Sequence, residues 1–411
     1  MISYEEAMAR VLEAATAMPA EVLPLERAAG RVLAEAIVAP WPMPRFDQSA
    51  VDGYAVRTQD ITSCSTANPV KLPLAHTHRA GDATSLALAP FTAIKIFTGA
   101  PLPMGADAVI MREAVEEQPD HIQVTRPEAA GANIRYAGEE YVQGAKILAS
   151  GIVITPPVQA LLASINHGSV SVYTRPQIAL VITGDELLDP SEALAAGKIY
   201  DANGWGLVAA LQGLGLGGVE LYRVKDTAND LRQILRQAMR NADLVISTGG
   251  VSMGDYDLVR STAMELGIEE VFWQVAVKPG KPLMFGRWAG PEEDDRPRLF
   301  FGLPGNPVAV LVLFHQIVRP ALLKMMGCSE ISDAAMTAKV LCPLRKKAGR
   351  LEWVRAKLDR ARMSVQPATG QGSHMLGGLA QADCLIEFPT EVTRLESGEI
   401  VRVIPLRWSL L

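Results

Sequence analysis

Between residues 176 and 327 short apolar runs alternate with helical stretches, and this alternation constrains the fold more than any other feature of the chain. QIALVI (177–182) precedes a helical pattern over 203–213, and VELYRV (219–224) precedes one over 229–241. DLVIST (243–248), a helix over 256–266, FWQVAV (272–277) and RLFFGL (298–303) follow, and a helix from Asn306 to about Met326 closes the unit. Strands that are apolar on both faces belong to a parallel sheet covered by helices on either side. Right-handed crossovers then gather the loops after the strands along one edge, which is where ligands bind in open sheets of this kind. A three-layer parallel α/β domain is therefore expected over 176–327.

The flanking segments have other patterns. A chain of 411 residues exceeds one core, at roughly 100–200 residues per domain. Residues 3–39 read as helical, with Tyr4, Ala7, Val11 and Ala14 at helical spacing and a second short helix ending near Val38. Pro40, Pro42 and Pro44 prevent continuation. From Arg45 to Tyr136 short strands such as VDGYAV, FTAIKIF, ADAVIM and HIQVTR are split by Gly and Pro, indicating a small, mostly β domain. Residues 137–175 are mixed and are expected to join 1–44 in one discontinuous, elongated helical domain. LEWVRAKL, CLIEF and IVRVIPL mark strands of a β-barrel-like domain over 328–411. The expected fold class is thus multidomain α/β plus β.

A formal net charge of -6 argues against a general nucleic-acid footprint, so any anion must meet a local cluster of cations and backbone N–H groups. Cys64, Cys328, Cys342 and Cys384 stand too far apart for a zinc knuckle or a disulfide framework and suit a reducing cytoplasm. Glu5 and Glu6 occupy the place where a signal peptide would be basic. The most apolar stretch, Leu299 to Phe314, is interrupted by Pro304-Gly305-Asn306-Pro307 and reads as strand, turn and buried helix rather than a membrane span. A cytoplasmic protein without membrane or nucleic-acid partners is expected.

The strand-end loops carry the chemistry. After the first strand comes Thr183-Gly184-Asp185-Glu186, after the second Lys225-Asp226, and after the third Thr248-Gly249-Gly250-Val251-Ser252, with Asp255 and Asp257 close behind. Lys278-Pro279-Gly280-Lys281-Pro282 and Pro304-Gly305-Asn306-Pro307 complete the set. Glycines let backbone N–H groups approach a phosphate, and Lys278 and Lys281 add point charges for an anion. Glu186, Asp226 and Asp257 supply hard oxygen ligands for a Mg2+ ion bridging phosphate oxygens. Singly, each has a plainer reading: a turn for Gly-Gly, a helix N-cap for Asp226 or Asp255, a solvated lysine. Five such loops on one edge favour a site. Gly213, Gly215 and Gly218 match GxGxxG but follow a helix and precede a strand, the reverse of a dinucleotide-binding turn. His76 and His78 are expected in a surface loop, and His315 in the core.

Eight segments together resemble the molybdopterin molybdenumtransferase (MoeA) family, which includes the C-terminal domain of gephyrin. They are PRFDQSAVDGYAV (44–56), IFTGAPLPMGADAV (96–109), NIRYAGEE (133–140), TGDEL (183–187), STGGVSMGDYD (247–257), VKPGKPLMFG (277–286), FGLPGNPV (301–308) and GQGSHML (370–376). The resemblance implies a reaction of adenylylated molybdopterin with molybdate that gives molybdenum cofactor and AMP, assisted by Mg2+. It assigns Glu186, Asp226 and Asp257 to metal and pyrophosphate, and Lys278, Lys281, Pro304 and Pro307 to pterin or molybdate. Arg355 and Ser373 would meet the oxyanion. Asp52, Thr98, Arg135 and Glu140 would act on the central domain of a second subunit, so a homodimer with shared sites is implied. Transient contacts with the adenylyltransferase and with apo-molybdoenzymes are implied as well.

Two positions depart from the family pattern: Glu140 stands where Asp is common, lengthening the side chain by a methylene, and Ala309 replaces a common Ser. Two other readings stay open at this stage. One is a non-catalytic molybdopterin-binding or scaffold protein, the other a molybdopterin adenylyltransferase. The acidic strand-end loops weigh against the first, and the flanking DGYA and GSH motifs against the second.

Overall fold

The computed structural model describes residues 1–82, 86–250, 258–290 and 297–410. The chain forms two compact units, one of Met1–Glu35, Ser150–Ala163 and His167–Leu411, the other of Ala36–Ala149 with Ser164–Asn166.

The first unit is built on a six-stranded sheet. Ile178–Thr183 lies between Glu220–Val224 and Leu244–Thr248, and Arg298–Leu303 follows Leu244–Thr248, all four parallel. Ile178–Thr183 and Leu244–Thr248 are buried at every residue, as strands covered on both faces must be. Helix Ala202–Gly213 begins at Asp201, whose carboxylate accepts the Gly204 N–H at 2.7 Å. Helix Ala228–Asn241 is capped by Thr227, which accepts the Asp230 N–H. The apolar helix Pro307–Met325 is long enough to cross a membrane, but 89% of its most apolar window is buried in the fold, as a core helix requires.

Two expectations for this sheet are corrected. The sheet is mixed rather than wholly parallel: Met284–Trp288 enters antiparallel between Arg298–Leu303 and Glu269–Trp273. The strand expected over 272–277 ends at Trp273, because Gln274 turns into the left-handed region at φ +70°. Val277–Lys278 instead runs parallel with Leu351–Glu352 of the C-terminal region. Glu269–Trp273 still runs in the common direction, so the lysine loop that follows it belongs to the same edge.

The C-terminal strands Leu351–Asp359, Ser364–Pro367, Met336–Val340, Ile400–Pro405 and Cys384–Phe388 pair in that order, and the last closes back on the first. The result is the expected barrel, of five strands. Near the N-terminus, helix Tyr4–Ala14 forms as expected, but the second helix does not. Ala20–Pro24 is a strand paired with Ser169–Tyr173. The alternating exposure of AEVLP is a strand period that the helical reading of 3–39 passed over.

The second unit is mostly β. Its sheet runs Ala108–Met111, Gly53–Val56, Ala93–Ile96, Val70–His78, His121–Val124, Val115–Glu117. His76 and His78 fall within strand Val70–His78 and not in a loop, and His78 is buried. Within this unit Ile37–Val38 pairs with Lys146–Leu148.

His315 is a core residue, 3% exposed. Gly213 closes its helix against the C-terminal tail: a Cβ there would come within 1.9 Å of the Trp408 carbonyl oxygen. In the GxGxxG match, Gly213 answers this packing need and Gly215 a left-handed turn at φ +79°.

Candidate functional site

At the carboxyl edge of the mixed sheet, where it meets the barrel, a cleft of about 890 Å³ opens. Among the expected site residues, Glu186, Lys278, Lys281, Pro304, Asn306, Pro307, Arg355 and Ser373 line it. Residues far apart in sequence converge because parallel strands deliver their loops to one edge, and the pairing of Lys278 with Glu352 brings the barrel wall beside them.

Arg355 dominates the electrostatics. It is 2% exposed, and its guanidinium donates to Gln371 Oε1 at 3.4 Å and to the Gly372 and Met375 carbonyls at 3.2 and 3.3 Å. Among the described residues no carboxylate pairs with it, and burial alone pulls its pKa down. A buried cation held only by neutral acceptors retains an uncompensated charge at the cleft wall. Ser373 sits in the same turn, and its carbonyl accepts the Val308 N–H at 3.3 Å, tying the Gly372-Ser373 turn to the start of the Pro307–Met325 helix.

The Pro304–Pro307 loop is fixed from below. Asn203 Nδ2 donates to the Gly305 carbonyl at 2.9 Å, and the Gly249 N–H donates to the Leu303 carbonyl at 3.1 Å. Gly249 has φ +89°, and a Cβ there would sit 2.8 Å from the Thr183 carbonyl oxygen, so only glycine serves. Thr183 is buried, and its hydroxyl donates to the Thr248 carbonyl at 3.3 Å, clamping the first and third strand ends together. Gly250 continues this turn at φ +56°.

The acids divide between two clefts. Glu186 lines the large one, its carboxylate folded over Gly184, where a Cβ would come within 2.9 Å of Oε2. Asp185 and Gly184 line an adjoining cleft of about 540 Å³ together with Lys198, Arg223 and Lys225. Asp185 and Asp226 exchange contacts: the Asp185 N–H donates to Asp226 Oδ2 at 3.4 Å and the Asp226 N–H to Asp185 Oδ1 at 3.3 Å. Asp226 therefore does not cap the following helix, a role that Thr227 fills. Asp257, Ser252 and Asp255 lie outside the described residues. Among the described residues no group of three metal-ligating side chains assembles. Asp185 and Asp226 bring two carboxylates to neighbouring strand ends, and Mg2+ commonly takes one or two carboxylates and completes its octahedron with water and substrate phosphate.

Asp52 and Thr98 meet in the second unit. The Thr98 N–H and hydroxyl both donate to Asp52 Oδ1, at 2.9 and 2.8 Å, and these bonds hold the Asp52 carboxyl below its usual range. Arg135 is exposed on a two-residue strand paired with Gln48–Ser49. Glu140 is exposed, its N–H bonded to the Met43 carbonyl at 2.9 Å.

Several cleft residues went unread in the sequence. Glu352 pairs with Lys278, Nζ to Oε1 at 2.9 Å. Arg350, His374 and Trp353 also line the cleft, and the buried Trp353 Nε1 has no partner among the described residues. Only the order of GQGSH beside RLEWVR hinted at them, because their proximity depends on barrel closure.

Three family models match the chain: the MoeA N-terminal region (domain I and II) at 2–166, a probable molybdopterin binding domain at 179–324, and the MoeA C-terminal region (domain IV) at 337–406. A molybdopterin molybdenumtransferase 2 of Mycobacterium tuberculosis is 35% identical over 410 residues, covering 98% of this chain and 99% of the relative. A molybdopterin molybdenumtransferase of Haemophilus influenzae is 33% identical over 411 residues, with 98% of each chain covered. A crystal structure of a molybdopterin biosynthesis moeA protein from Pyrococcus horikoshii OT3 superposes with a TM-score of 0.84 at 29% identity, covering 99% of this chain and 100% of the other. Matched end to end by these relatives and by models of each of its regions, the chain belongs to the molybdopterin molybdenumtransferase (MoeA) family of molybdenum cofactor biosynthesis enzymes.

Proposed function

We propose that the chain inserts molybdenum from molybdate into adenylylated molybdopterin, with release of AMP, and that Mg2+ assists the release. The observation that carries this reading is Arg355, a buried guanidinium that has no carboxylate partner among the described residues, on the wall of a cleft that two lysines also line. An oxyanion is the ligand such a charge lacks. Ser373 and Lys281 stand on the same cleft and supply further donors. The N-terminal end of helix Pro307–Met325 adds a favourable dipole, where Ala309 offers no hydroxyl. The two sulfurs that receive molybdenum belong to the pterin, so the cleft has only to hold the oxyanion beside them.

The phosphate end of the substrate lies, in this reading, over the Gly249-Gly250 turn and the Asp185–Asp226 pair. Asp185 and Asp226 would hold Mg2+, with Glu186 and Asp257 as further carboxylates. When bound, the ion offsets charge on the departing phosphate. Asp52, with its carboxylate oriented by Thr98, and Arg135 and Glu140 complete the site from a second subunit. That shared-site reading and the homodimer rest on the family resemblance, as does a cytoplasmic setting with transient delivery to apo-molybdoenzymes.

The experiment is direct. Purified chain is incubated with adenylylated molybdopterin, Mg2+ and molybdate, and AMP is measured by chromatography. Molybdate-dependent AMP release supports the reading; consumption of ATP without cleavage of the adenylylated substrate would replace it with adenylyl transfer. Mixing inactive Asp52→Asn and Arg355→Met chains tests the shared site, because a heterodimer regains one intact site only if the two residues serve different subunits.

A further inference from the structure

The turn that holds Ser373 also brings an imidazole to the large cleft. His374 lines the cleft and is exposed, and among the described residues its ring has no hydrogen-bond or ion-pair partner. The ring lies back over Gly372, where a Cβ would come within 2.9 Å of its Cε1. The turn itself is built on Arg355. Gln371 Nε2 donates to the Arg355 and Ala368 carbonyls, both at 2.8 Å. The Arg355 guanidinium holds the Gly372 and Met375 carbonyls, on either side of His374. Gly378 fixes the far end, since a Cβ there would sit 2.6 Å from the Thr369 carbonyl oxygen. The imidazole is thus presented from a fixed backbone, beside a guanidinium that cannot change its charge.

Histidine is the one ordinary side chain whose charge changes between about pH 5 and 8. Of the six histidines in the chain, His374 alone lines this cleft among the described residues. The charged groups that share the wall are Arg350, Arg355, Lys278 and Lys281 against Glu186 and Glu352. The cations outnumber the carboxylates, so the wall alone gives a further positive charge no net attraction. A dianion in the cleft reverses that balance. It draws a proton to the ring, and the imidazolium returns a charge-assisted hydrogen bond. We propose that His374 is a further binding residue of the cleft, an imidazole that takes up a proton as a dianionic oxyanion binds and then donates to it. This rests on the oxyanion reading of the cleft given above.

Proton uptake on binding fixes the sign of the pH dependence, because the proton and the anion must each tighten the binding of the other. The test is calorimetric titration of the full chain with molybdate at about pH 6 and about pH 8, each in two buffers of unlike ionisation heat. Wild-type affinity is expected to be about threefold to tenfold higher at the lower pH, with protons drawn from the buffer. His374→Gln keeps a hydrogen-bonding side chain that cannot titrate, so it should bind alike at both pH values and draw no protons. Proton uptake that persists in His374→Gln overturns the inference, as does molybdate binding by the wild type with no proton uptake. Absence of molybdate binding by the wild type at either pH would overturn the oxyanion reading itself, and the inference with it.

Discussion

Arg319 and Arg355 are both buried, at 6% and 2% exposure, yet their surroundings differ in kind. Arg319 lies in the long apolar helix and meets Asp333 almost bidentately, Nη1 to Oδ2 at 3.1 Å and Nη2 to Oδ1 at 3.4 Å. His315 stands one turn before it, accepting the Arg407 N–H at Nε2, 3.5 Å from Asp333. Arg355 has a glutamine and two carbonyls and no carboxylate among the described residues. The first charge is neutralised within the fold and ties the helix to the segment before the barrel. The second is left open toward a cleft. Burial alone did not separate framework from site; the partner did.

That contrast can be broken by exchanging each arginine for methionine. Arg355→Met is expected to reduce molybdate-dependent AMP release by about a hundredfold or more, since it removes charged donors from a desolvated anion site. Its unfolding free energy should shift by less than about 2 kcal/mol, because no carboxylate is orphaned. Arg319→Met should do the reverse. It leaves the buried Asp333 with only the longer Arg407 contact at 3.9 Å and costs about 3 kcal/mol in denaturant titration, while activity per folded molecule persists. If Arg355→Met unfolds the chain and Arg319→Met abolishes turnover, the assignment is inverted.

His315 sharpens the framework side. Burial, with help from the Arg319 charge, pushes its pKa from 6.5 down to about 3. The folded state therefore keeps the ring neutral while the unfolded chain protonates it below 6.5. The stabilisation is complete above that value and is lost progressively as pH falls toward 3. A His315→Gln chain should show a flatter decline of stability across that window, measured as denaturant midpoint against pH. The smallest effect belongs to the second unit: Thr98→Val should move the Asp52 carboxyl titration, followed by NMR, up toward its ordinary value of 3.8.

The lysine and proline loops were legible because each is a contiguous string that a strand end presents as a unit. Lys278, Lys281, Pro304 and Pro307 were named from such strings, Arg355 and Ser373 only through the family resemblance, and all six line one cleft. Glu352 was not legible, since LEWVR reads as an ordinary strand and its lysine partner lies 74 residues away. The acids were half legible: Asp226 was named, but its exchange of N–H bonds with Asp185 depends on neighbouring strand order. In the fold, VAV after Trp273 prolonged an apolar run past the strand's end, and the left-handed Gln274 carries no sequence signature. The antiparallel Met284–Trp288 was hidden by the proline-rich loop before it, which reads as a terminator rather than a strand start.

The most direct measurement is anomalous scattering at the molybdenum edge from crystals of the chain soaked in molybdate. A peak within hydrogen-bonding distance of the Arg355 guanidinium, in the cleft shared with Ser373 and Lys281, is the expected result. A peak beside another cation, with the Arg355 cleft unlabelled at saturating molybdate, would contradict the assignment of that buried charge to the oxyanion.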